Sequence, residues 1–495
     1  MTGLPIVTRF SALQSRFPRI LRHSKAPPQT DLHTLWLHPR RLPHWAADSP
    51  TVLRILDLLG PLPWDCFPDR DLQRNYGQPT VSYATFAAAC LLQLNEHLFH
   101  MSELRTYLVE HPVLIWLLGQ PLAPDPASPF GYDPEASLPT QRHLTRMLRT
   151  IPNATLQFLL AASVSAILAE LHELGCMDVA QCVSLDTKHI LAWVKENNPK
   201  AYVSPRFDKS QQPAGDPDCR LGCKRRHNQR TSPDDVATPT RNPIPAQSLR
   251  FGEFYWGYGS GIVATKVPDW GEFVIAELTQ PFNCSDVSYF FPLMASTELR
   301  LGFRPRTGAL DAAYDAFYVY DYFHRDDDPG AFAAVPFVQK GGYAAKDRRF
   351  VPDGRPLCAA DLPMPRLCTY IDRTLTLIEH ERAKYGCPLK HAEGTNPDPC
   401  PIHHQRWPKG GCTTSLPTSI GARLRYTLDR ESAAYKDAYR QRTATERINS
   451  QAKALGIERP HLRNGQAIIN RNTLIYTLIN LRLLQRIRQR RPAAD

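Results

Sequence analysis

Between Thr51 and about Gly175, apolar residues recur at the three- and four-residue spacing of helices, most clearly from Thr85 to Leu98. Proline-rich stretches, Gly60 to Pro68 and Pro121 to Pro139, interrupt the pattern. An all-helical N-terminal domain over residues 51–176 is predicted. Its longest apolar run, Thr155 to Leu171, includes Gln157, Ser163, Ser165 and Glu170 and falls short of the roughly 18 residues of a membrane span, so a buried helix is expected. After Met177 the runs shorten to β type: Cys182-Val183-Ser184-Leu185 ends on Asp186, and Phe254 to Val267 and Glu272 to Thr279 follow a polar excursion from Ser204 to Arg250. Helical spacing from Asp286 to Leu301 leads into Ala309-Leu310-Asp311 and an aromatic amphipathic segment, Tyr314 to Phe323. Two strand-like runs therefore each close on an acid.

From Asp326 to about Pro417 the helical period disappears while Gly, Pro and Cys accumulate, which predicts strands and loops. Helical patterning returns as one helix from Ala433 to Leu455, stopped by Gly456, and again from Ala467 to Arg490. The expected fold class is α/β. Its core, 177–327 and 431–495, is interrupted by a β/loop insertion over 328–430 and preceded by the helical domain and a basic, partly irregular arm over 1–50.

Composition narrows the function. Lys and Arg number 59 against 48 Asp and Glu, a net charge of +11, which favours acidic polymers as partners. Proline at 45 of 495 residues excludes a continuous helical array. Twelve cysteines are too sparse for a disulfide scaffold, and the N-terminus lacks the order of a secretory signal, so a cytoplasmic location is expected. Arg9, Arg16, Arg19, Arg22 and Lys25 precede the first acid, Asp31, as a frayed basic arm or a transit peptide.

On an ideal helix Tyr439, Arg442, Glu446 and Lys453 fall within about 60° of one another, so one face carries all four. Glu446 offers an oxygen ligand, Arg442 a bidentate grip on phosphate, and Lys453 a point charge roughly 10 Å further along the axis. Taken singly these are ordinary surface charges; taken together with Asp186 and Asp311 they suit nucleic acid beside a metal.

Tyr-x2-Arg-x3-Glu-x6-Lys, with Ser184-Leu185-Asp186-Thr187-Lys188 and Gly308-Ala309-Leu310-Asp311-Ala312-Ala313-Tyr314-Asp315, resembles the DDE transposases of bacterial insertion sequences. The resemblance covers roughly 177–327 and 431–480. It implies an RNase H-like core in which Asp186, Asp311 and Glu446 are the catalytic acids; the helix face of Tyr439, Arg442 and Lys453 is expected to contact DNA, and Lys188, just past the first acid, contacts DNA or has a structural role. It implies double-stranded DNA as partner, both the element's terminal inverted repeats and the target, with a homodimer in the DNA complex. Three gathered carboxylates repel unless divalent cations neutralise them, and oxygen-only ligation favours two Mg²⁺ or Mn²⁺ ions. The competing functions are a non-catalytic, zinc-stabilised DNA-binding protein derived from a transposase and a structure-selective nuclease.

Other residues admit two readings. Cys358, Cys387, Cys400 and Cys412, with His403 and His404 nearby, form a zinc site or remain free buried thiols, Cys368 being a substitute ligand. Arg142, His143, Arg146 and Arg149 contact phosphate or line a solvated face, as do Arg482, Arg486, Arg488, Arg490 and Arg491, where DNA is favoured. Asp315 and Asp321 are expected to cap helices. His189 touches DNA or has a structural role, and Trp256, Trp270 and Trp407 are expected in the core.

Overall fold

The computed structural model describes residues 31–70, 81–224, 253–337, 348–373, 378–391 and 399–490. The basic segment from Arg9 to Lys25 lies outside them, as do Arg491 and most of the polar excursion.

The N-terminal region folds as α1 (Leu32–Leu37), α2 (His44–Ala47), α3 (Pro50–Leu59), α4 (Tyr83–Asn95), α5 (Met101–Glu110), α6 (Pro112–Leu117), α7 (Pro134–Ser137), α8 (Gln141–Thr150) and α9 (Asn153–Glu173). Short polar side chains set the starts: Ser82 Oγ accepts from the Thr85 N–H and Thr140 Oγ1 from the His143 N–H. Proline opens α3, α6 and α7, where its missing N–H costs nothing. The described part of the arm, from residue 31, is built of short helices. Asp31 caps α1, and Leu32, Leu35, Leu42 and Ala46 are buried in the main core.

The main sheet contains β1 (Cys182–Leu191), β2 (Arg220–Lys224), β3 (Glu253–Val267), β4 (Gly271–Pro281), β5 (Thr307–Leu310) and β6 (Phe332–Ala334), with α10 (Phe290–Leu301) and α11 (Phe317–Phe323) between the later strands. Its order is β2-β3-β1-β5-β6, with β4 also on β3. β1 is antiparallel to β3 and parallel to β5, and β5 is parallel to β6. Gly257 pairs with both Leu191 and Arg220, so β2 and β4 lie end to end along the edge of β3 remote from β1. Asp186 does not end its strand as predicted. The β5 ladder stops at Leu185↔Leu310, but pairing with β3 carries β1 on to Leu191. Gly308 is needed at the middle of β5 because a Cβ there would stand 2.3 Å from the Phe323 ring of α11.

A second, antiparallel sheet, β7-β8-β9, comprises β7 (Arg366–Asp372), β8 (His380–Tyr385) and β9 (Thr414–Pro417), with α12 (Pro388–His391) in the connection. Its own core is small: Met364, Ala383, Tyr385 and Leu416. The chain then returns through α13 (Ile420–Thr427), which packs on α11. Asp315, expected as a helix cap, instead pairs with Arg425 through two hydrogen bonds of 2.8 and 2.6 Å and accepts another from the Tyr320 hydroxyl. A buried carboxylate needs such a partner, and this pair fastens α13 beside the end of β5. Asp321 accepts from the Ser419 hydroxyl at the start of α13.

The predicted helix from Ala433 to Leu455 is two helices, α14 (Ala433–Arg440) and α15 (Thr443–Ala454). Between them the Gln441, Arg442 and Ala444 amides bond three residues back rather than four, tightening the turn. Tyr439 therefore belongs to α14, Arg442 to the junction, and Glu446 and Lys453 to α15.

The last helix, α16 (Gly465–Arg490), runs through the molecule's centre, against α9, α4, α8 and β4. Facing it, α9 carries the only described stretch long and apolar enough to cross a membrane, and its Leu156, Leu159, Leu160, Val164, Ile167 and Leu171 are buried in the core. Asn480 of α16 accepts from the Val274 N–H and donates to the Val274 carbonyl, both at 2.8 Å, while Arg300 donates to the Ile275 carbonyl. Side chains thus satisfy the open edge of β4. The helical region and the main sheet share one continuous apolar core, so packing continues across the boundary predicted at residue 176.

Candidate active site and cysteine cluster

Because Leu185 and Leu310 are partners in the parallel ladder, the residues after them, Asp186 and Asp311, emerge side by side. Asp311 turns the chain, accepting from the Ala313 N–H at 2.8 Å. Asp186 accepts from Asn449 Nδ2 of α15 at 2.8 Å. Glu446, one turn before Asn449, accepts from Arg442 Nη1 at 2.7 Å. Arg442 pairs directly with Glu446, and its charge also acts on Asp186 and Asp311. Tyr439 joins them, with Asp311 and Glu446 both in electrostatic reach.

Burial, with Asp311 adding to it and Arg442 opposing, pushes Asp186 up to about 6. A third aspartate, Asp286 at the turn before α10, is also pushed up to about 6, first by burial and then by Asp311, against a hydrogen bond with Thr187. Burial would lower Arg442, but Asp186, Tyr439, Glu446 and Asp311 outweigh it and raise the guanidinium instead. Glu446 is the most exposed of the three predicted acids, its side chain 53% accessible. Among the described residues no group of three or more His, Cys, Asp or Glu side chains is close enough to hold a metal ion. The acids share a site whose members are held apart, Glu446 by Arg442 and Asp186 by Asn449.

The two predicted DNA-contacting lysines meet on one carboxylate. Lys188 Nζ lies 2.5 Å and Lys453 Nζ 3.5 Å from Glu458. Burial works to raise Glu458, yet the two lysines outweigh it and hold the carboxyl below its usual range. The Leu191 N–H donates to the Glu458 carbonyl, fixing this segment to the end of β1. His189 is packed against Phe282 and Tyr255.

Asp286, Asn449 and Glu458 carried no signal of their own in the sequence. Asn449 sits three residues after Glu446, hence on the same face, and only that spacing could have singled it out. Asp286 and Glu458 reach the site only through the course of the loops.

Several arginines favoured for DNA on α16 are engaged within the fold. Arg482 donates to Asn95, and Arg488 pairs with Glu170 at 2.6 Å and stacks over Trp36. Arg486 donates to the Arg482 carbonyl, and Arg490 to that of Asp269. On α8, Arg142, Arg146 and Arg149 are exposed, while burial, helped by Arg146 and Arg70, pushes His143 down to about 4. Trp256 is buried and Trp270 packs against the core, as expected, but Trp407 lies under the Lys390 ammonium, 4.1 Å from the ring centre, outside the buried set.

In the second sheet Cys358, Cys387, Cys400 and Cys412 line one cavity together with His404. Burial, then Cys387 and Cys358, push the Cys412 thiol up to about 12. Cys368, the predicted substitute, is exposed on β7 and is not in the lining. His403, with a φ of 47°, lies in the turn after Cys400. No protein-family model matches the chain, and no curated protein does.

Proposed function

We propose that the chain is a DNA transposase of the DDE type, cutting the ends of an insertion element and joining the freed 3′-hydroxyl to target DNA. The supporting observation is the ladder register Leu185↔Leu310, which sets Asp186 beside Asp311, while Asn449 draws the helix of Glu446 onto Asp186. A central β1 with antiparallel β3 and β4 on one side and parallel β5 and β6 on the other suits an RNase H-like core. The separate sheet between β6 and α13 suits an inserted subdomain.

An oxygen-only donor set fits Mg²⁺ or Mn²⁺, and burial plus the neighbouring Asp311 already hold Asp186 near protonation, a cost that a divalent cation relieves. Asp186, Asp311 and Glu446 would hold two such ions, whose chemistry would be activation of the attacking oxygen and stabilisation of the leaving one. The chain's own part is binding and orientation. Arg442, released from Glu446, grips phosphate bidentately; Lys188 and Lys453, gathered at Glu458, act as point charges on neighbouring phosphates. Two DNA ends require two copies of the chain, working on DNA in the nucleoid.

The test is incubation of the purified protein with Mg²⁺ and DNA carrying the element's own ends, scored for cleavage and joining. Both are expected. Cleavage without joining would leave a nuclease, and binding with neither would leave a non-catalytic DNA-binding protein. Glu446→Gln should lower cleavage by about 100-fold or more while sparing DNA binding.

A further inference from the structure

We infer that the second sheet holds one structural Zn²⁺ through the thiolates of Cys358, Cys387, Cys400 and Cys412, independently of the candidate active site. All four cysteines line a single cavity of about 10 Å³, the size of one small occupant rather than an organic ligand. No Asp or Glu lines it. Sulfur donors without carboxylates select zinc over the hard cations suited to Asp186 and Asp311.

The backbone repeats one device at two of the ligands. Cys387-Pro388-Leu389-Lys390-His391 and Cys400-Pro401-Ile402-His403-His404 follow the same pattern of cysteine, proline, branched apolar residue and basic pair. In each, the cysteine carbonyl accepts from the N–H three residues on, from Lys390 at 3.1 Å and from His403 at 2.9 Å. Both turns present their cysteine to the same cavity.

The remaining two ligands are brought in by separate segments. Gly411, at a φ of +85°, lets the chain before Cys412 press against Cys387: a Cβ there would stand 2.4 Å from Cys387 Cβ and 3.0 Å from its Sγ. The Cys387 and Cys412 thiols are close enough that the first opposes ionisation of the second. Cys358 packs beside Cys412 against the small core. In the structure the thiols are gathered but no three are at metal-binding separation, so binding entails their inward movement and the release of their protons.

A module spanning β7 to β9 needs such a crosslink. Four buried core residues, Met364, Ala383, Tyr385 and Leu416, are few for a unit of this length, and small units with little core are commonly fastened by a metal or by disulfides. Cys358 sits before β7, and Cys387, Cys400 and Cys412 lie along the connection from β8 to β9, so one ion ties the segment entering the sheet to that connection.

The experiment is metal analysis of the full chain purified under reducing conditions, combined with thiol alkylation mapped by mass spectrometry. About one zinc per chain is expected, with the thiols at 358, 387, 400 and 412 protected until a chelator is added, and a thiolate–cobalt absorption band on Co²⁺ substitution. Cys400→Ser and Cys412→Ser should each lose the zinc, whereas Cys368→Ser and Asp311→Asn should retain it. If those ligand variants fail to fold, the protection pattern of the unaltered chain decides. Free alkylation of the four thiols without stoichiometric zinc, a disulfide between Cys387 and Cys412, or zinc retained in Cys400→Ser and Cys412→Ser would each overturn the assignment.

Discussion

Asp186 is a buried carboxyl with a like charge beside it, and its proton equilibrium follows from that alone. Pushed up to about 6, it holds a proton in mildly acid solution, and Asp286 does the same. A proton and a cation compete for the same oxygens, so metal-dependent cleavage should rise steeply as pH climbs through about 6 and level off above it, measured as initial rates at saturating Mg²⁺. A profile flat from pH 5 to 7 would remove Asp186 from the rate-controlling ionisations. At this scale the sequence was informative about residue types. Tyr439, Arg442 and Glu446 do share a neighbourhood with Asp186 and Asp311. The pairing of Lys188 and Lys453 through Glu458 was hidden, because residues far apart in sequence meet there only after folding.

Element boundaries were legible wherever the period was long. The helix predicted from Ala467 begins at Gly465, and the strand predicted from Phe254 begins at Glu253. The break in the Ala433 to Leu455 pattern was not legible, since three-residue hydrogen bonding at Gln441 and Arg442 needs no proline or glycine to announce it. Nor was the second life of β1 beyond Asp186: polar Thr187, Lys188 and His189 stay in the ladder because β3 is longer than β5. The edge of β4 gives an element-scale prediction. Asn480→Ala strips both partners from Val274 in a buried setting, so the urea midpoint should fall by an amount equivalent to roughly 1–3 kcal/mol, the cost of leaving buried polar groups unpaired. An unchanged midpoint would show that water satisfies that edge.

Across the whole molecule, buried acids set the dependence of stability on pH. Glu277 projects from β4 toward α9 and α16, bonded to Gln157 at 2.7 Å and to the Thr473 hydroxyl, and burial pushes it up to about 7 against those bonds and Arg300. Its folded-state pKa exceeds the unfolded value of about 4.3, so the folded chain binds more protons between the two, and stability must fall as pH rises through that window. Glu277→Gln keeps the hydrogen-bonding shape without the charge. It should be more stable than the parent above pH 7, by on the order of 3–4 kcal/mol, and indistinguishable from it near pH 4, as read from denaturation midpoints. A parent-like pH profile in the variant would mean that other groups set the slope. The same molecule-wide folding sets Asp186 of β1 beside Asp311 at the end of β5 and fastens α15, which carries Glu446, to Asp186, and iron-directed cleavage tests this gathering most directly. Fe²⁺ exchanged into the divalent sites, with ascorbate and peroxide, cuts backbone beside its ligands. Cuts near positions 186, 311 and 446 together, all lost in Asp311→Asn and suppressed by excess Mg²⁺, are the predicted result; cuts at one position alone, or scattered cuts insensitive to that substitution, would contradict a shared metal site.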